Sequence, residues 1–181
     1  MRVIAGEAKG RRLVVPQGGG TRAATDRVRE ALFGILTPVL ADSEVLDLFA
    51  GAGTLGIEAL SRGAARATFV EMAPKAIAAL RKNLETTGLA DRATVVRADV
   101  LAYLAGSLRA DIAFCDPPFA DVAAHGAVLA RLAAPGRLVV ARALRKHLPE
   151  IPPTLRVART REIGEETLLL LRYSEDASAG G

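Results

Sequence analysis

The sequence predicts an α/β fold: a mostly parallel sheet with helices on both faces, an antiparallel hairpin at its C-terminal edge, and a small N-terminal β-hairpin extension. Three observations predict it. From residue 44 onward, short apolar strand-like runs alternate with helical stretches, the pattern of a parallel sheet covered on both faces. The last two strand-like runs, 155–159 and 167–171, have no clear helix between them, so they should pair antiparallel. The first 24 residues hold two strand-like runs, 2–5 and 12–15, around a loop that begins at Gly6 and ends at Gly10.

The elements follow in order. Pro16-Gln17-Gly18-Gly19-Gly20 breaks regular structure after the hairpin. Residues 25–40 read as a helix: Thr25 or Asp26 can cap it, and Val28, Ala31, Leu32, Ile35 and Leu36 recur at helical spacing. Pro38 marks its approximate end. The strands are then 45–49, 67–70, 94–96, 112–115 and 138–141. Helices at 55–62, 74–86, 100–104 and 122–133 separate them. This divides the chain into an N-terminal hairpin extension (1–24), a main domain (25–173) and a flexible tail (174–181).

Composition narrows the function. The 181 residues, half of them apolar and 24% charged, suit one domain with a full core. No apolar run approaches a bilayer span, and residues 1–6 do not resemble a secretory signal, so the expected location is the cytoplasm. The single cysteine, Cys115, forms no internal disulfide and no cysteine zinc site. His125 and His147 show no ligand spacing and read as surface or helix-flank residues, so no metal is expected. No feature demands a second copy, and a monomer is expected. Residues 1–30 hold seven basic and three acidic residues, while the other 151 residues hold 17 of each sign. The whole surplus of +4 therefore lies in the first sixth of the chain. That clustering fits a polyanionic partner and equally a solvated hairpin with incidental arginines.

The first main strand runs into Asp47-Leu48-Phe49-Ala50-Gly51-Ala52-Gly53-Thr54-Leu55-Gly56. Glycines there allow a tight turn and close approach of a ligand, and the next helix aims its positive end at the same crevice. G-x-G-x-x-G alone is a weak signal. Glu71, at the end of the second strand, is placed to accept hydrogen bonds from ribose hydroxyls. Asp99, before Val100 at the end of the third, is placed to meet an adenine amino group. Each also has a structural reading: Glu71 as a charge near a helix start, Asp99 as an N-cap. Two acids at successive strand ends favour a nucleoside ligand, NAD and S-adenosylmethionine about equally.

The fourth strand ends in Asp116-Pro117-Pro118-Phe119 on the same sheet edge, where open α/β sheets bind ligands. Such a sequence can simply terminate a strand. It can also do chemistry. The prolines fix the backbone, so the Asp116 carboxylate and the Pro117 carbonyl can accept both hydrogens of one NH2 group while Phe119 stacks on its ring. An exocyclic base amine is a poor nucleophile because its lone pair is delocalised; accepting its N–H bonds draws the nitrogen toward sp3. The carboxylate also stabilises charge that builds on nitrogen during attack. Cys115, by contrast, should face the opposite way from Asp116, into the core.

Together, the glycine loop, the acidic strand ends and Asp116-Pro117-Pro118-Phe119 resemble the class I amino-methyltransferases, with their Rossmann-like sheet. More narrowly, the chain resembles the bacterial small-subunit (16S) rRNA guanine-N2 methyltransferase family, the D-type enzyme. The resemblance covers about residues 1–173. It rests on Arg2-Val3-Ile4-Ala5-Gly6, Lys9-Gly10-Arg11-Arg12-Leu13, residues 47–63 and, most specifically, Thr25-Asp26-Arg27-Val28-Arg29-Glu30-Ala31-Leu32-Phe33. It implies a seven-stranded sheet, S-adenosylmethionine as donor and one guanine of 16S rRNA, free or in the small subunit or an assembly intermediate, as target. Implied donor-site residues are Asp47, Phe49, Gly51, Gly53, Glu71, Asp99 and Val100; implied catalytic residues are Asp116, Pro117 and Phe119. Lys9, Arg11, Arg12, Arg22, Arg27 and Arg29 are expected to track RNA phosphates from a hairpin beside the donor edge, although Arg29 sits in a helix and can pair internally. The chain departs from the family pattern in Arg22-Ala23-Ala24, which replaces Arg-Pro-Thr. It departs again in Ala141-Arg142, where an acidic residue often follows the fifth strand, and in Leu168–Leu171, which lacks an earlier tyrosine.

Three other readings compete. An amino-methyltransferase for DNA or protein glutamine typically has Asn at the position of Asp116, and the DNA enzymes bring a recognition domain. A non-catalytic RNA-binding or ribosome-assembly module would not need Glu71, Asp99, Asp116 and Phe119 intact. An NAD oxidoreductase would need a hydride-transfer set such as Tyr-x-x-x-Lys, which is missing.

Overall fold

The computed structural model describes residues 1–16, 24–106, 110–117, 122–134 and 136–174. Arg22, Phe119, the Arg22-Ala23 turn and the tail from 175 onward lie outside the described residues. The chain forms one seven-stranded sheet in the order β3-β2-β1-β4-β5-β7-β6. Strands β1 (Glu44–Leu48), β2 (Arg66–Glu71), β3 (Ala93–Arg97), β4 (Ile112–Cys115) and β5 (Leu138–Leu144) are parallel. β7 (Glu166–Tyr173) runs antiparallel to β5, and β6 (Leu155–Ile163) antiparallel to β7. This is the Rossmann-like, mostly parallel sheet expected of class I methyltransferases. Because the order reverses at β1, with β2 on one side and β4 on the other, a crevice opens beyond the C-terminal ends of β1 and β4.

The period-2 alternation of the strands divides the core into two layers. Val45, Phe69, Ile112, Phe114, Val140, Leu168 and Leu170 pack beneath α1 (Asp26–Leu40), α2 (Thr54–Ser61) and α3 (Pro74–Thr87). Leu46, Leu48, Val70, Ala113, Cys115, Val139 and Leu171 pack against α4 (Val100–Tyr103) and α5 (Val122–Leu132). Local chemistry starts the helices where they start. The Thr25 hydroxyl accepts the Val28 N–H at 3.3 Å, Pro74 occupies the first turn of α3, and Asp99 caps α4 through the Ala102 N–H at 3.0 Å. Pro38 lies inside α1, which continues to Leu40. So close to the C-terminus, a missing N–H costs only one bond of the last turns.

The N-terminal extension forms the expected hairpin, in a short and irregular version. Its two runs meet in one isolated bridge, Arg2 to Arg12, rather than a ladder. Backbone bonds still join the runs: the Val3 N–H donates to the Arg11 carbonyl at 3.0 Å, and the N–H groups of Gly10 and Leu13 donate to the Val3 and Met1 carbonyls at 2.9 Å. Other backbone groups find side chains. The N–H groups of Ile4 and Ala5 donate to Glu58 at 2.8 and 3.0 Å. Ala8 N–H donates to the Ser61 hydroxyl at 3.0 Å. Asn83 Oδ1 accepts from Val14 N–H at 2.7 Å, and its amide donates back to the Val14 carbonyl at 2.9 Å. Val3, Ala8 and Leu13 complete the core layer under α1 and α2.

Candidate active site

β1 delivers the chain to the crevice and Phe49 turns it, with φ at 58°, a conformation that costs energy for a bulky residue. Gly51 and Gly53 continue in the left-handed region at 56° and 79°. Gly53 begins α2, and a Cβ there would stand 2.2 Å from Leu80 Cδ1. At Gly51 a Cβ would approach nothing nearer than the Phe49 carbonyl at 3.9 Å, so the space above this turn is open to a ligand. Two acids hold the loop. Asp47 lies beneath it, 2% exposed, and its Oδ2 accepts the Gly56 N–H at 2.9 Å. Glu71 accepts the Gly51 N–H with Oε2, and the Met72 and Ala73 N–H groups with Oε1, each at 2.8 Å.

The acids converge electrostatically. Burial pushes the Asp47 carboxyl well above the usual carboxylate range; the Gly56 N–H opposes this, while the charges of Asp116 and Glu71 add to it. Asp116 follows β4 directly. Since Cys115 lies beside Leu48 on one side and Ala141 on the other, Asp116 stands next to the mouth of the glycine loop. Its carboxyl is also raised by burial, but Arg142 pulls it back down. Arg142 Nε donates to Asp116 Oδ1 at 2.8 Å, and Nη1 donates to Glu166 Oε2 at 2.9 Å. The Arg142 side chain is 3% exposed. Burial works against its charge, and Asp116 and Glu166 more than reverse that, so it stays firmly cationic.

The structure places the remaining expected residues less uniformly. Phe49 is half-buried beside the loop, Asp99 is exposed at the end of β3 and Val100 is buried behind it. Pro117 is buried directly after Asp116. Cys115 is fully buried in the opposite core layer, which pushes its thiol upward. His125 departs from the expectation of a surface or helix-flank histidine. It is 5% exposed on α5 and hydrogen-bonded to the Cys115 backbone. Burial lowers its pKa to about 4, so it is neutral at physiological pH and braces the strand that presents Asp116.

The sequence profile of the family described as "Conserved hypothetical protein 95" matches residues 1–172. The chain belongs to that family. It is 48% identical over 120 residues to ribosomal RNA small subunit methyltransferase D of Escherichia coli, covering 66% of this chain and 60% of that protein. The protein of the same name from Haemophilus influenzae is 42% identical over 123 residues, covering 66% and 64%. The matched segment thus spans less than two thirds of the length of either relative. Among solved structures, Escherichia coli yhhF superposes with a TM-score of 0.85 at 36% identity, over 96% of this chain and 98% of that one.

Within this member of the family, the expected basic residues divide. Lys9, Arg11, Arg12 and Arg27 are exposed. Arg29 is not: it is fully buried, donating to Glu58 at 3.3 Å, to the Arg2 carbonyl at 2.7 Å and to Asp26 at 2.7 Å. The expectation that Arg29 tracks phosphates is therefore corrected; with Arg62, whose Nε lies 2.7 Å from Oε1, it balances Glu58, a buried carboxylate that the extension needs as its acceptor. The placement of the extension is corrected as well. α2 runs from the glycine loop back toward the start of β2, so docking at Glu58 and Ser61 sets residues 4–8 at the far edge of the sheet. Among the described residues, it is the outgoing run that reaches the donor edge, where Asn83 joins Val14 to the Ala52 carbonyl of the glycine loop. Sequence reasoning missed Glu58, Asn83 and the role of Arg142. The signal available for Arg142 was a single one, a basic residue where the resemblance expects an acid.

Proposed function

We propose that the chain transfers a methyl group from S-adenosylmethionine to the exocyclic N2 amine of a guanine in small-subunit (16S) rRNA. The observation that carries this reading is the convergence of Asp47, Glu71 and Asp116 on the mouth of one glycine turn. Asp116, with one oxygen held by Arg142, sets an acceptor for an amine beside the nucleoside crevice, which suits methyl transfer to nitrogen and has no part in hydride transfer. S-adenosylmethionine fits, and when bound it supplies a sulfonium-activated methyl group. Glu71 keeps a lone-pair site on Oε2 for a ribose hydroxyl, Asp99 Oδ2 faces no capping duty, and the open space above Gly51 admits the ligand backbone.

On the acceptor side, Arg142 takes Oδ1 of Asp116 and leaves Oδ2 for an amine N–H. The Pro117 carbonyl is proposed to take the second N–H. Held by two acceptors, the nitrogen presents its lone pair in one direction, and positioning of this kind supplies much of a transfer rate. The Asp116 carboxylate balances the positive charge that develops on the amine and is placed to receive its proton afterwards. Phe119 is assigned the stacking contact from the sequence alone. The similarity to two small-subunit rRNA methyltransferases supports the RNA substrate.

The test is incubation with methyl-labelled S-adenosylmethionine and either deproteinised 16S rRNA or small subunits lacking the modification, followed by digestion to nucleosides. Label in N2-methylguanosine is the expected result. Label in another nucleoside, in protein or nowhere would contradict it.

A further inference from the structure

Strand β6 forms the outer edge of the sheet, and its residues from Arg156 to Glu162 are all exposed. Plain alternation would put Arg156 and Arg159 on opposite faces. A bulge between Val157 and Arg159 shifts the register, so that Arg156 pairs with Arg172, Arg159 with Leu170 and Arg161 with Leu168. Leu168 and Leu170 belong to the core layer beneath α1. Arg156, Arg159, Arg161 and Arg172 therefore share that face, and the irregularity is what aligns them.

Three features make this row more than edge protection. None of the four arginines has an ion-pair partner among the described residues. Arg156 and Arg172 stand directly opposite each other across the strands, where like charges are destabilising. The row also leads somewhere. Leu168 is the register partner of both Arg161 on β6 and Arg142 on β5, which sets Arg161 two strands, roughly 10 Å, from the arginine that holds Asp116. Beyond Arg161, the β6–β7 turn lines a groove with Thr25 and the exposed Arg27 at the start of α1; Glu165 and Glu166 line it too, and the charge of Glu166 is already met by Arg142.

We infer that this arginine face of β6 and β7 docks the phosphate backbone of the substrate RNA and leads it toward Asp116. The inference rests on the RNA-substrate reading above. A row of guanidiniums, three of them exposed and none ion-paired among the described residues, suits a polyanion, whose bound counterions it releases. The repulsion between Arg156 and Arg172 is tolerated because the ligand relieves it.

The experiment measures binding of a 16S rRNA transcript to the full chain across a salt series, for the wild type, Arg159→Gln/Arg161→Gln and Arg172→Gln. S-adenosylhomocysteine calorimetry and thermal unfolding accompany each protein. The double variant should bind about tenfold more weakly near 0.1 M salt, with its slope of log K against log salt reduced by about 0.7–0.9 per lost contact. Its S-adenosylhomocysteine binding should be unchanged. Arg172→Gln should bind RNA more weakly yet melt at a higher temperature than wild type, a combination that a structural role would not produce. Unchanged RNA affinity and slope in both variants, beside a wild type that binds RNA, would overturn the inference and leave the row as an edge guard or as a partner for the acidic Glu175-Asp176 segment. A wild type that fails to bind RNA would overturn the RNA reading itself, and the docking face with it.

Discussion

Arg142 Nε stands 2.8 Å from Asp116 Oδ1, and the same guanidinium reaches Glu166. One carboxylate oxygen of Asp116 is thereby held, and its charge is kept in a buried setting that disfavours it. An ionised Asp116 is needed to accept the amine, so activity is lost as pH falls through its pKa. Burial raises that pKa and Arg142 lowers it. Arg142→Met should move the acid limb of the kcat profile to higher pH and lower kcat at neutral pH by about tenfold or more, roughly 1.4 kcal/mol of barrier. Arg142→Lys should recover part of both. An unmoved acid limb in the Met variant would show that Arg142 does not set the state of Asp116.

Glu71 anchors the glycine loop through Gly51 and is assigned the ribose contact. Calorimetry on Glu71→Ala should show S-adenosylhomocysteine bound about ten- to a hundredfold more weakly, the scale of one or two hydrogen bonds to a charged group. NAD should bind neither protein measurably. Tight NAD binding without S-adenosylhomocysteine binding would sink the donor assignment.

Arg29 and the hairpin arginines should separate cleanly. Arg29→Met removes one of the two guanidiniums on buried Glu58, with Arg62 left as its counter-charge, and frees the Arg2 carbonyl of its donor; the loss should cost about 1–3 kcal/mol in folding stability, readable as a lower urea midpoint. The exposed pair Arg11→Ala/Arg12→Ala should leave the urea midpoint nearly unchanged and reduce the salt slope of RNA binding by about 0.7–0.9 per contact. An unchanged slope, with folding intact, would place the RNA surface elsewhere than the extension.

The parallel half of the sheet was legible because its strands are buried on both faces and read as short apolar runs. β4 coincides with the predicted span at Ile112–Cys115. The C-terminal edge was less so. β5 continues through Arg142 to Leu144 and β6 through Arg161 to Ile163, because pairing with residues 166–169 of β7 carries each strand past its first charged residues. The glycine loop, Glu71, Asp99 and Asp116 were legible as acids and glycines at strand ends. Arg142, Glu58 and Asn83 were not, since each acts through a partner at least 24 residues away. Charge was misleading for a related reason. Residues 31–181 are balanced in sum, but the sheet sorts Arg156, Arg159, Arg161 and Arg172 onto one face, which no count along the chain reveals.

The central claim is that the Asp116 carboxylate acts on the acceptor amine and not on the donor. The most direct measurement pairs S-adenosylhomocysteine calorimetry with single-turnover methyl transfer to 16S rRNA, for wild type and Asp116→Ala. Removing an interaction made mainly in the transition state lowers the rate far more than affinity. Donor affinity should stay within a few-fold of wild type and transfer should fall by at least about a thousandfold, on the order of 4 kcal/mol. Near wild-type transfer by Asp116→Ala, or a loss of transfer fully explained by lost donor binding, would contradict it.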